Sequence, residues 1–288
     1  MNITDKNNIV SISQNDASYP KEWNALPDSP PILYAVGNVT LINTRKFTVV
    51  GSRTTPVTAL KLGMTVAKEL SQSFTLVTGT ADGGDSAVIE GGILGGGRLI
   101  CLLAGGFSAI PQNNLPLLER LVKQGGLLLS PHPYDTSVRA FSYEYRNKLL
   151  AGLGEGVLVL GAGLKSGALI TARHAQKQDK PVFAFPYAPN THSGAGCNAL
   201  IKAGAYLTES AEDISERLGV KIEKKATGVT LSEDEKKMLS ALYEQGESHI
   251  NLLSQTTGIP IFKARMLLSA LEVKGVAVAL GGNRYAPV

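Results

Sequence analysis

The chain carries only two cysteines, Cys101 and Cys197, in 288 residues. Two distant thiols build no disulfide framework, and neither spacing suits zinc. A reducing compartment is the natural reading. The first residues, MNITDKNNIV, lack a basic-then-apolar signal pattern. No stretch of about 18 apolar residues occurs, which excludes a predicted membrane span. A cytoplasmic protein is therefore expected. Excess charge is also missing. The formal net charge is +4, so any polyanion site has to be a local patch of a few cations and backbone N–H groups. There is no internal repeat and no low-complexity tract. The four histidines lie apart, with no H-E-x-x-H and no nucleophile setting. Neither a metal nor a cofactor is expected.

What is present is a core and a rhythm. Apolar residues make up 43% of the chain, ordinary for a folded globular protein. Residues 1–45 read as an entry segment packed on the core, ending in the short extra strand Ile32 to Val36. From Phe47, short apolar runs alternate with segments of helical period. The strand-like runs are Phe47–Gly51, Phe74–Thr78, Arg98–Ala104, Gly126–Ser130, Gly156–Leu160 and Pro181–Pro186. Helices are expected near 57–71, 84–95, 115–124, 142–153, 167–178 and 196–203. Such alternation implies an α/β fold, with a Rossmann-like parallel sheet covered by helices on both faces over 46–220. A linker is expected over 221–229. The tail, 230–288, opens with the capping-box run Ser232-Glu233-Asp234-Glu235 and reads as three helices and a hairpin, a small winged-helix domain.

Ligands of such sheets bind outside the carboxyl ends of the strands, so the chemistry is sought there. Gly51-Ser52-Arg53 follows the first run. Its small residues permit close backbone approach, and its Arg offers a fork suited to phosphate. An Arg capping the sheet edge is the plainer reading. Thr78 to Asp85 makes a second loop, whose acids Asp82 and Asp85 read as turn-makers rather than catalysts. Arg139 and the run Phe141 to Lys148 mix aromatics with cations, the combination that stacks bases and holds phosphates. The plain alternative is an amphipathic helix start. Phe141 is expected to be exposed or half-exposed, and at least one Tyr buried. Ser166-Gly167 opens a further helix after a late strand. Asn198, in Gly194 to Ala205, either caps a helix or contacts a ligand.

Taken in order, these segments resemble the DNA-processing protein A (DprA, or Smf) family from about Tyr19 to Leu218. The family shows Y-P and then D-S-P-P-x-L-Y-x-x-G-N, here Tyr19-Pro20 and Asp28 to Asn38. Its V-G-S-R is Val50 to Arg53, and its S-G-x-A-x-G-x-D is Thr78 to Asp85. Its F-x-x-R-N-R-x-I-A-G-L is Phe141 to Leu153, with more residues between Phe141 and Arg146 than the pattern has. Its S-G-(S/A)-L-I-T-A is Ser166 to Ala172, and its G-x-N-x-L-I-x-x-G-A is Gly196 to Ala205.

The resemblance implies single-stranded DNA binding, self-association as a homodimer, and delivery of a RecA-type recombinase in natural transformation, with no reaction catalysed. It implies DNA contacts at Ser52, Arg53, Phe141, Arg146, Asn147, Ser166 and Gly167, and the segments themselves add Gly51, Arg139 and Lys148 to the expected DNA site. The sequence departs from the pattern at Asp82, where a basic residue is common, and at Ile89, Lys148 and Tyr187. These changes reduce local positive charge, which implies weaker DNA binding or a different ligand. An N-terminal helical domain found in many members has no room ahead of the entry segment. The other function class is a nucleotide-binding or nucleotide-hydrolysing enzyme of a related Rossmann-like fold. The P-G-G-x-G-T-x-x-E run of phosphoribohydrolases does not occur here.

Overall fold

The computed structural model describes residues 2–222 and 231–287, which fall into two units divided between 223 and 224. The expected linker lies largely outside the described residues.

In the first unit the short apolar runs become strands of one nine-stranded sheet. They are β1 (Val10–Ser13), β2 (Ile32–Gly37), β3 (Lys46–Val50), β4 (Thr75–Thr78), β5 (Leu99–Leu102), β6 (Leu127–Ser130), β7 (Val157–Val159), β8 (Val182–Ala184) and β9 (Tyr206–Leu207). Their spatial order is β1-β2-β6-β5-β4-β3-β7-β8-β9. From β6 to β9 all neighbours are parallel. The sheet is mixed rather than wholly parallel, because β1 and β2 run antiparallel to their neighbours along one edge. The entry segment supplies that edge.

The connecting helices are α1 (Val57–Leu70), α2 (Gly84–Leu94), α3 (Leu115–Lys123), α4 (Ala140–Leu153), α5 (Ala168–Lys177), α6 (Ala195–Lys202) and α7 (Ala211–Leu218). Side chains of the strands alternate between two apolar layers. Leu76, Leu99, Cys101 and Leu158 pack with α1, α2, α3 and α7, while Val77, Ile100, Val157 and Val159 pack with α4, α5 and α6. Burial on both faces is why these runs read as continuously apolar. Three elements, β1, β9 and α7, were not anticipated from the sequence. Trp23 of the entry segment is fully buried and donates from Nε1 to the Leu149 carbonyl at 3.0 Å, tying that segment to α4.

The topology has one reversal. From β3 the chain steps outward through β4, β5 and β6, then returns to place β7 on the opposite side of β3. Such a switch point leaves a crevice at the carboxyl ends of β3 and β7, because the following loops turn to opposite faces.

The second unit holds α8 (Glu233–Gln245), β10 (Ser248–His249), α9 (Ile250–Thr257), α10 (Ile261–Val273), β11 (Ala277–Gly281) and β12 (Arg284–Pro287), with a three-stranded sheet in the order β10-β12-β11. This is the expected set of three helices and a hairpin. The Ser232 N–H donates to Glu235 Oε2 at 2.7 Å, closing the capping box. The hairpin turns at Gly282 and Asn283, whose φ values of 56° and 57° suit a tight two-residue loop. Two cations of this tail are held by carboxylates: Lys263 by Asp234 at 2.5 Å and Arg284 by Glu247 at 2.6 Å.

Among the described residues no helix is long and apolar enough to cross a membrane, and no group of three or more His, Cys, Asp or Glu side chains is placed to hold a metal.

Candidate nucleic-acid interface

Four chain segments meet at the switch point. Ser52, directly after β3, donates its N–H to the Gly161 carbonyl after β7 at 2.8 Å. Gly84, at the start of α2, donates to the Ser52 carbonyl at 3.1 Å. A Cβ on Gly51 would stand 2.7 Å from the Gly84 Cα, so this approach requires glycine. The loop after β3 is thereby held between the loops after β4 and β7.

Beneath the loops lies a polar floor. Asp85, 4% exposed, accepts from the Gly51 N–H at 3.3 Å and the Ala81 N–H at 3.2 Å. It therefore ties two loops together instead of capping α2. Arg146 of α4 is equally buried at 6% exposure. Its Nη1 and the Asp85 carboxylate crowd the space that a Gly79 side chain would fill. The guanidinium also donates to the Leu102 carbonyl at 3.3 Å and to Asn147 Oδ1 at 3.0 Å. Asn147 in turn donates to the Gly167 carbonyl at 3.1 Å. Hydrogen bonds thus link Gly51 to Asp85 and run from Arg146 through Asn147 to Gly167, and the Asp85–Arg146 charge attraction joins the two runs. Burial pushes the Asp85 carboxyl up, against the pull of the Arg146 guanidinium, and burial pushes Arg146 down, against the pull of Asp85. Much of the Arg146 charge is therefore committed within the floor.

The rim differs in kind. Arg53, Arg139 and Lys165 are exposed, and none forms an ion pair among the described residues. The Arg53 and Thr54 N–H groups donate to no atom of the described residues, leaving the strand-to-helix turn open to an anion. Phe141 and Tyr143, on the first turn of α4, are 64% and 50% exposed, and Leu164 is 68% exposed. The Arg146 guanidinium lies 6.0 Å from the centre of the Tyr143 ring. Cations, open N–H groups and bare aromatic faces on one rim can hold phosphate and stack bases.

Of the ten residues singled out in the sequence, Gly51, Ser52, Arg146, Asn147 and Gly167 are joined by the contacts above, and Arg53 follows Ser52 on the rim. Arg139 and Phe141 stand at the start of the same helix. Ser166 stays at the rim but spends its hydroxyl on its own helix, accepting from the Ala168 N–H at 3.3 Å. Lys148 is placed otherwise than the sequence suggested. Its ammonium pairs with Asp28 of the entry segment, turned there by the half-turn of helix that separates it from Arg146. Tyr145 follows it, donating its hydroxyl to the Asp28 carbonyl at 2.9 Å.

Asn198 touches no site. It grips the Tyr187 backbone from both sides, accepting at 3.0 Å and donating at 2.9 Å. The Tyr187 phenol reaches the Leu160 carbonyl, and burial pushes its pKa up. Tyr143 was missed. It stands three residues before Arg146, the spacing that the F-x-x-R-N pattern has, whereas Phe141 stands five before. That count was the available signal.

A model of the family described as DNA recombination-mediator protein A matches residues 10–219. The DNA processing protein DprA of Bacillus subtilis is 36% identical over 213 residues, covering 73% of this chain and 71% of that protein. Protein Smf of Escherichia coli is 34% identical over 202 residues, 69% of this chain, and this chain spans about half of its length, 54%. Among solved structures, DNA processing protein A from Helicobacter pylori, described for its single-stranded DNA binding mode, superposes with a TM-score of 0.65. It is 29% identical and covers 73% of this chain and 95% of its own.

Proposed function

This chain belongs to the DNA recombination-mediator protein A family, and we propose that it binds single-stranded DNA in the rim described above, self-associates, and hands the strand to a RecA-type recombinase without catalysing a reaction. One observation carries the reading. Three uncompensated cations and two exposed aromatic rings surround a floor whose own charges are mutually satisfied. Such a floor holds the loops in place, and the rim does the binding. The Helicobacter pylori relative, described for binding single-stranded DNA, supports the same ligand.

A labelled single-stranded oligonucleotide titrated between about 50 and 200 mM salt tests it. Affinity is expected to fall steeply with salt. Arg53→Ala is expected to weaken binding across sequences and to reduce the slope of log K against log salt by about 0.7. Binding that ignores both salt and Arg53→Ala overturns the assignment. For the finer part, the protein is expected to speed filament assembly by a RecA-type recombinase on protein-coated strands. Incubation with nucleoside monophosphates is expected to release no free base, and turnover there overturns the non-catalytic reading.

A further inference from the structure

The loop after β4 carries a charge that the binding reading does not use. Asp82 is exposed, and its neighbour Gly83 sits against Arg53, where an added Cβ would stand 2.8 Å from the Arg53 Cα. Some exposed carboxylates of this unit are held by cations: Asp28 by Lys148, Asp135 by Lys6 and Glu155 by Arg45. The second acid of the same loop, Asp85, has Arg146. Asp82 has only a neutral partner among the described residues, the Asn113 amide at 3.5 Å. The loop that bears it is also braced. Asn114 donates to the Thr80 carbonyl at 2.7 Å, and Ser86 donates to the Ala81 carbonyl at 3.3 Å. An uncompensated negative charge is therefore fixed beside the open cation of the rim.

We propose that Asp82 sets the path of the bound strand, repelling phosphate from the β4–α2 side so that the strand leaves Arg53 toward Arg139 and Lys165. The inference rests on the single-stranded DNA reading. Asp82 adjoins Gly83, whose added Cβ would meet the Arg53 backbone, and charges within the screening distance of about 10 Å at 0.1 M salt act on the same phosphates. Asp82 thereby trades affinity for a defined direction and for easier release.

The test uses oligothymidylate, whose bases lack an exocyclic amino group for a carboxylate to read. Asp82→Asn is expected to raise affinity about threefold at low salt, the weight of one nearby charge in water. The salt slope is expected to steepen by no more than about 0.7, the value of one phosphate contact, because the substitution removes a repelling charge and adds no cation. Glu216→Gln, in the last turn of α7, removes a charge elsewhere and is expected to leave both unchanged. In an Arg53→Ala background the gain from Asp82→Asn is expected to shrink. An Asp82→Asn variant that binds no better than wild type, or a Glu216→Gln variant that gains equally, overturns the proposal. If Arg53→Ala weakens binding while Asp82→Asn changes nothing, this inference alone fails. If Arg53→Ala changes nothing, the underlying binding reading fails with it.

Discussion

The Arg146 guanidinium and the Asp85 carboxylate meet under Gly79, each almost wholly buried and each the other's main electrostatic support. Arg146 comes from α4 on one face of the sheet and Asp85 from α2 on the other. Their contact passes over the carboxyl edge of the sheet and fastens the loop after β4 to the helix that carries the rim aromatics.

Removing one member of this pair leaves the other charged and buried. Arg146→Ala is expected to cost about 3–5 kcal/mol of unfolding free energy, measured by urea denaturation. The loss has a pH signature. The folded-state pKa of Asp85 is already raised, so its charged form costs stability as pH rises through that value. Without Arg146 the cost grows. The deficit of Arg146→Ala is therefore expected to be larger near about pH 8 than near about pH 5. Adding Asp85→Asn is expected to remove the difference.

The aromatic rim separates binding from stability. Phe141→Ala and Tyr143→Ala remove exposed rings, so thermal midpoints are expected to stay near wild type. Oligonucleotide affinity is expected to fall by about 1–3 kcal/mol for each ring that stacks a base. The salt slope is expected to hold, because no cation is lost. Unchanged affinity in both variants would place these rings outside the binding surface.

Lys148 offers the opposite case. Its ammonium is committed to Asp28, which it holds below the usual carboxylate range. Lys148→Ala is expected to cost no more than about 1 kcal/mol, since Asp28 is largely exposed. DNA affinity is expected to change far less than in Arg53→Ala, in parallel titrations.

Lys180 supplies a second pH test. Its ammonium donates to the Ala151 and Gly152 carbonyls at 3.0 and 2.6 Å, capping the last turn of α4. Burial pulls its pKa down to about 8 from 10.5. Between these values the unfolded chain binds more protons than the folded one, so stability gains from this group as pH rises through the window. Lys180→Met is expected to abolish that gain. Subtracting its midpoint-against-pH curve from that of wild type isolates the contribution.

Sequence alone determined whatever depends on neighbours along the chain. Apolar periodicity located β3 to β8 and α1 to α6, and the Ser232–Glu235 spacing located the start of α8, because these signals lie within a turn or a pleat. Elements too short to show a period escaped, β9 at two residues among them. The eight-residue α7 escaped although Ser210 and Asp213 form its capping box. Placement of the chemistry after the strands was also legible, since it follows from the fold class.

Tertiary structure decided which charges are free. Arg53, Arg146 and Lys148 look equivalent along the chain, as three cations in promising segments. In the fold Arg146 meets a buried acid from across the sheet, Lys148 meets an acid of the entry segment, and Arg53 meets neither. Those partners lie 61 and 120 residues away in sequence. Which charges cancel depends on distances through space, and sheet order alone fixes those distances.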